Sequence, residues 1–70
     1  MTTEERAARL RMKIKLAGLT QKQLAKELGI TDGWMSKRIN MMYFRSDEIK
    51  RMAEMIPFDG PEDIVTTFLG

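Results

Sequence analysis

Apolar residues recur every three or four positions along most of the chain, and no segment alternates as a β-strand would. A capping-box pair, Thr2 and Glu5, predicts the start of a first helix, and Gly18 predicts its end. The residues predicted to form the inner face of this helix are Leu10, Ile14 and Ala17.

Similar patterns predict four more helices. Thr20 and Gln23 form a second capping box, which opens a short helix that ends at Gly29. Thr31 is predicted to cap a third helix, which runs through Asn40.

Ser46 is predicted to cap the fourth helix, which Pro57 stops. Gly60 and Pro61 introduce the fifth. The predicted inner faces are Ile49, Met52, Ala53 and Ile56 in the fourth helix, and Ile64, Val65, Phe68 and Leu69 in the fifth.

Between the third and fourth helices, the connector 41–45 supplies three or four apolar anchors. Four methionines are expected to fill the core: Met12, Met35, Met52 and Met55. The 70 residues are therefore predicted to form one all-α domain, a compact bundle of about five helices.

Residues 20–40 carry the most informative spacing. Two short helices joined by a glycine turn are typical of a helix-turn-helix, which presents its second helix to the DNA major groove. Ala25 is small enough to let the two helices approach, and Gly29 can adopt the left-handed conformation of the turn. An ordinary helical hairpin is the alternative. The residues expected to face the core are Leu24, Leu28, Ile30, Met35 and Ile39.

The third helix is predicted to read bases. Met35 and Ile39, four positions apart, point inward. They leave Gly33, Ser36, Lys37 and Asn40 on the outside. We expect Ser36 and Lys37 to contact base edges, with Gly33 beside them. Lys37 can donate to guanine O6 or N7, or else contact a phosphate. Asp32 either accepts from cytosine N4 or interacts with the helix dipole.

Charge is distributed unevenly along the chain. Residues 1–45 contain ten Lys and Arg against four Asp and Glu, whereas residues 46–70 contain two against six. A basic surface next to an acidic one suits a nucleic-acid-binding protein. Chance segregation on solvated helices explains the same numbers equally well.

Over nearly its whole length the chain resembles short Cro-like regulators from temperate phages and prophages of Gram-positive bacteria. These belong to the phage Cro and repressor helix-turn-helix superfamily. The resemblance is carried by the run Met35-Ser36-Lys37-Arg38-Ile39-Asn40, by Phe44, by Asp47-Glu48-Ile49, and by Ile64 and Phe68. It implies a lambda-repressor-like DNA-binding domain that acts on double-stranded operator DNA.

The resemblance also implies contacts with DNA phosphates. Gln21 is expected to bind a phosphate, with Thr20 and Lys22 beside it at a helix start that favours anions. The other expected phosphate contacts are Thr31 (a cap first), Asn40, and the connector residues Tyr43 and Arg45.

Arg38 departs from the superfamily pattern, in which this position is usually apolar. Ile39 is expected to take over the packing. The Arg38 guanidinium would then lie on a phosphate or against Trp34, one turn earlier. A solvated surface arginine is the alternative.

Several function classes are disfavoured. The chain has no cysteine or histidine, which excludes thiolate and imidazole metal sites and nucleophilic Cys or general-base His catalysis. No phosphate-binding glycine loop is present, so we expect no enzyme activity, cofactor or small-molecule substrate. No apolar run approaches the roughly 20 residues of a membrane helix, and no signal peptide is evident, so a cytoplasmic location is expected.

The leading hypothesis is a sequence-specific transcriptional regulator, a Cro-like repressor of a phage lysis–lysogeny switch. It acts on operator DNA as a monomer or as a homodimer paired through the fourth and fifth helices. An antirepressor that binds a partner phage repressor is the main alternative, supported by Asp32 and by an apolar C-terminal segment. An antitoxin is a third, although 70 residues leave little room for a toxin-binding extension.

Overall fold

The computed structural model describes residues 1–70, which form five α-helices and no strands. The all-α prediction is therefore confirmed. The molecule measures 28 × 22 × 22 Å. The helices are α1 (Thr3–Leu16), α2 (Gln21–Leu28), α3 (Asp32–Met41), α4 (Ser46–Met55) and α5 (Pro61–Leu69).

Side-chain caps define the starts of the first three helices. Reciprocal hydrogen bonds link Thr2 with Glu5 before α1 and Thr20 with Gln23 before α2, as predicted. The Thr31 hydroxyl accepts from the amide of Trp34 and caps α3. Each of these caps satisfies amides that the first helical turn would otherwise leave unpaired.

The predicted cap of α4 is wrong. Ser46 is the first helical residue, and Arg45 occupies the N-cap position. The carboxylate of Glu48 accepts from the Arg45 amide at 2.8 Å. The third helical residue thus bonds the N-cap amide, and no side chain at the N-cap accepts from the first-turn amides.

One hydrophobic cluster lies at the centre of the five helices. α1 packs against α3 and α5, and α2 packs against α3 and α4. Several of the predicted core residues are only half-buried: Ala17, Leu28, Ile30, Ile49, Ala53 and Met55. The buried apolar residues are Ala7, Leu10, Ile14, Leu24, Ala25, Met35, Ile39, Met42, Met52, Ile56 and Phe68.

The predicted inner face of α5 is partly wrong. Phe68 is buried and Ile64 is half-buried, but Val65 and Leu69 are exposed. Asp63 and Thr67 are buried instead. The helix is therefore rotated so that polar residues face α1.

Charged groups of α1 explain this rotation. The Asp63 carboxylate pairs with Arg9 and lies 2.6 Å from Lys13 Nζ. It also accepts from the Asp59 amide at 2.8 Å. The Asp59 hydrogen bond, with the Lys13 and Arg9 cations, holds the pKa of Asp63 well below its usual value despite burial. The hydroxyl of Thr67 accepts from Arg9 at 3.1 Å.

Two further sequence expectations need correction. Met12 lies on the exposed side of α1 rather than in the core. The connector after α3 has two apolar anchors, Met42 and the half-buried Phe44, whereas Met41 and Tyr43 are exposed. No helix combines the length and the apolar character needed to cross a membrane.

Candidate nucleic-acid interface

The turn between α2 and α3 depends on Gly29, which has φ +73°. Residues that have a Cβ rarely adopt this left-handed backbone conformation. The following amide, of Ile30, donates back to the Ala25 carbonyl at 3.0 Å and closes the end of α2. Ala25 itself is buried. The helix-turn-helix interpretation of these two helices stays a prediction.

α3 has the predicted register. Met35 and Ile39 are fully buried. Gly33, Lys37 and Asn40 are exposed, as is Asp32, and Ser36 is half-buried. The predicted base-reading residues therefore share a surface that the core packing leaves free.

Gln21 and Asp32 connect the starts of α2 and α3. The side-chain amide of Gln21 donates to the Asp32 carboxylate at 3.0 Å and to its backbone carbonyl at 3.2 Å. This bridge holds one carboxylate oxygen and leaves the other available as an acceptor. Sequence analysis placed both residues in the interface but did not predict their contact.

Trp34 is the main interface residue that sequence analysis did not assign. Its side chain is 46% exposed on the outer side of α3. The Lys37 ammonium lies 5.8 Å from the centroid of its ring. The sequence contained one signal for it: Trp34 is a large aromatic residue one turn before Lys37, which is predicted to read a base. The ring now accounts for the position of the Lys37 side chain.

Arg38 does not lie against Trp34. Its guanidinium pairs with Glu48 and donates to the Tyr43 carbonyl at 2.7 Å. The rings of Tyr43 and Phe44 lie 5.5 and 5.3 Å from the guanidinium carbon. Since only 11% of the Arg38 side chain is exposed, the structure gives it a protein carboxylate where a phosphate was expected. The solvated alternative is also wrong.

The remaining predicted phosphate contacts are accessible. Thr20, Lys22 and Thr31 are exposed at the helix starts, and Tyr43 is exposed on the connector. Arg45 is exposed as well, but its guanidinium lies 3.3 Å from Asp47 and 3.8 Å from Glu48. Its charge is therefore partly neutralised within the protein.

Several cations in and next to α2 and α3 have no acidic partner, as is also true of Arg6 and Lys50 elsewhere in the molecule. No carboxylate lies within 4.0 Å of Arg11, Lys15, Lys22, Lys26 or Lys37. Arg11 instead donates to the side-chain carbonyl of Asn40. An anion that approaches this side of the molecule meets positive charge that the protein itself does not neutralise.

The surface offers hydrogen-bond donors, cations and one partly free carboxylate, which is suited to non-covalent binding. No three His, Cys, Asp or Glu side chains are grouped so that they could hold a metal ion. Comparisons of the chain with protein-family models, with curated proteins and with solved structures give no match.

Proposed function

We propose that this protein is a sequence-specific transcriptional regulator that inserts α3 into the major groove of double-stranded DNA. The observation that carries the proposal is the exposed face of α3 lying among cations that have no carboxylate partner. Phosphates of duplex DNA supply the complementary charge. In its most specific form, the proposal is a Cro-like repressor of a phage switch, acting in the bacterial cytoplasm as a monomer or homodimer.

Base recognition is assigned to the outer side of α3. Lys37 donates to guanine, and Ser36 contacts a neighbouring base edge. Gly33 lets the helix approach closely, because it has no side chain and no atom from elsewhere in the protein lies within 4 Å of the position that a Cβ would occupy. Asp32, held by Gln21, offers its free oxygen to the N4 amino group of cytosine.

Phosphate binding is assigned to residues that border this helix. Backbone amides at the start of α2 and the nearby cation Lys22 favour an anion there. These contacts fix the orientation of α3 without selecting a sequence. The assigned residues are Thr20, Gln21, Lys22, Thr31, Asn40, Tyr43 and Arg45.

A DNA-binding titration tests the proposal. Duplexes enriched by the protein from a randomised pool are labelled, and fluorescence anisotropy is measured at about 50 and about 200 mM salt. We expect preferential binding of enriched over scrambled duplexes and a loss of affinity of more than about tenfold at the higher salt. Absence of enrichment together with absence of binding would contradict the proposal.

An antirepressor is the second candidate, and a specific observation favours it. Trp34 and Met41, 46% and 52% exposed, lie on the outer side of α3 together with Lys37. Exposed tryptophan and methionine are common at protein–protein interfaces. Co-elution with a phage repressor, combined with no DNA binding, would favour this candidate over direct repression.

A further inference from the structure

Two cations of α1 border the proposed DNA-binding surface although they lie outside α2 and α3. The Arg11 guanidinium donates to the side chain of Asn40, near the end of α3. Arg11 and Lys15 also line a concavity of about 200 Å³, to which α2 contributes Gln21. α1 thus meets the predicted phosphate contacts of both other helices.

The opposite flank of α1 provides a contrast. Arg9 and Lys13 both pair with the buried carboxylate of Asp63. Arg11 and Lys15 are exposed, and no carboxylate lies within 4.0 Å of either. One helix therefore has a flank whose cations hold the fold together and a flank whose cations are free.

The spacing of the free pair suits a repeating anion. Residues four positions apart lie one above the other on the same helical face, with Cβ atoms about 5–6 Å apart. The two long side chains can therefore reach successive charges along a strand. The floor of the concavity beneath them is apolar, formed by Ile14, Leu19 and Ile39, and offers no competing carboxylate.

We infer that Arg11 and Lys15 bind two neighbouring phosphates of one DNA strand where that strand passes over the concavity beside Asn40. The inference rests on the proposed DNA-binding function and extends its interface from α2 and α3 to α1. These contacts orient the protein on the duplex and carry no sequence information.

Charge-neutralising variants test the inference through the salt dependence of binding. Each phosphate contact contributes about 0.9 to the slope of log affinity against log salt. Arg11→Gln and Lys15→Gln should each lower that slope by about 0.9, and the double variant by about 1.8. Affinity for enriched and scrambled duplexes should fall by the same factor.

Lys50→Gln is the matched control. Lys50 is exposed on α4, has no carboxylate within 4.0 Å, and loses the same single charge. Its slope should equal that of the parent. Because the Lys15 side chain makes no hydrogen bond within the protein, Lys15→Gln should melt like the parent even if Arg11→Gln does not.

The outcomes separate this inference from the proposed function. A parent protein that binds no DNA overturns both. A parent that binds with a steep salt dependence, while the double variant keeps the parental slope, overturns only the role of Arg11 and Lys15. An equal loss of slope in Lys50→Gln would also overturn it, since a general effect of net charge would then explain the result.

Discussion

Arg9 and Lys13 at the α1–α5 contact and Arg38 and Arg45 at the α3–α4 connector have carboxylate partners, whereas Lys37 on the exposed face of α3 has none. Two adjacent residues show the contrast. The Lys37 ammonium lies over the exposed ring of Trp34, whereas the Arg38 guanidinium is largely buried against Glu48. Of the ten cations in residues 1–45, four lie within 4.0 Å of a carboxylate from residues 46–70: Arg9, Lys13, Arg38 and Arg45.

This comparison changes the meaning of the uneven charge distribution. Two of the six acidic residues in 46–70, Glu48 and Asp63, are buried against basic residues of the first part and so do not contribute to an acidic surface. Net charge by segment therefore overstates the positive charge available to a ligand. The charge that remains accessible is that of the unpartnered cations.

The largest effect is expected from removing the charge of Arg38. Arg38→Gln leaves the buried Glu48 without its buried cation, with only the exposed Arg45 guanidinium at 3.8 Å, and should lower the free energy of unfolding by about 3–5 kcal/mol. Lys37→Gln, one residue away, should change stability by less than about 0.5 kcal/mol, because its partner is only an exposed ring. Urea unfolding of both variants measures the difference.

A double-mutant cycle sharpens this prediction. Glu48→Gln in the Arg38→Gln background should recover part of the lost stability, because no unpaired charge then remains buried. A coupling energy near zero would show that the pair does not hold the connector, and the contrast with Lys37 would fail.

Asp63 should make stability depend on acidity. Because folding lowers its pKa, its contribution is complete above the unfolded value of about 3.9 and is lost as the pH falls toward the folded pKa. Asp63→Asn should lose about 2–3 kcal/mol at neutral pH. Between about pH 4 and about pH 2, the free energy of unfolding of Asp63→Asn should fall by less than that of the parent. Urea midpoints measured across this range compare the two proteins. An equal acid sensitivity would assign the transition to other carboxylates.

Helix positions were predictable where the determining residues are close in sequence. Thr2 with Glu5 and Thr20 with Gln23 are three residues apart, and each pair marks its helix start correctly. The register of α3 followed from Met35 and Ile39 in the same way. The helix-turn-helix interpretation and its DNA contacts stay predictions.

The errors concern residues with distant partners. Asp63 is buried because Arg9 and Lys13, fifty or more positions away, lie against it. Arg38 turns from the expected phosphate to Glu48, which no local pattern indicates. In both cases the pairing of charges decided the burial, and a helical periodicity of apolar residues does not contain that information.

Gln21→Ala should weaken binding of every DNA sequence by a similar factor. Loss of one charge-assisted hydrogen bond to phosphate corresponds to about 1.5–3 kcal/mol of binding free energy. Because Gln21 also holds the Asp32 carboxylate, the preference for enriched over scrambled duplexes should fall no further than it falls in an Asp32→Asn variant. A Gln21→Ala protein with parental affinity would exclude Gln21 as a phosphate contact.

In the proposed function, Lys37, the one cation of α3 without a carboxylate partner, reads DNA, while the paired cations hold the fold together. The most direct test is the ratio of affinities for enriched and scrambled duplexes, measured by anisotropy for the parent and for Lys37→Ala. We predict that Lys37→Ala melts like the parent, loses about 1–3 kcal/mol on the enriched duplex, and relaxes the preference at one base position. An unchanged ratio would contradict base reading by Lys37 and leave it a contact with the DNA backbone.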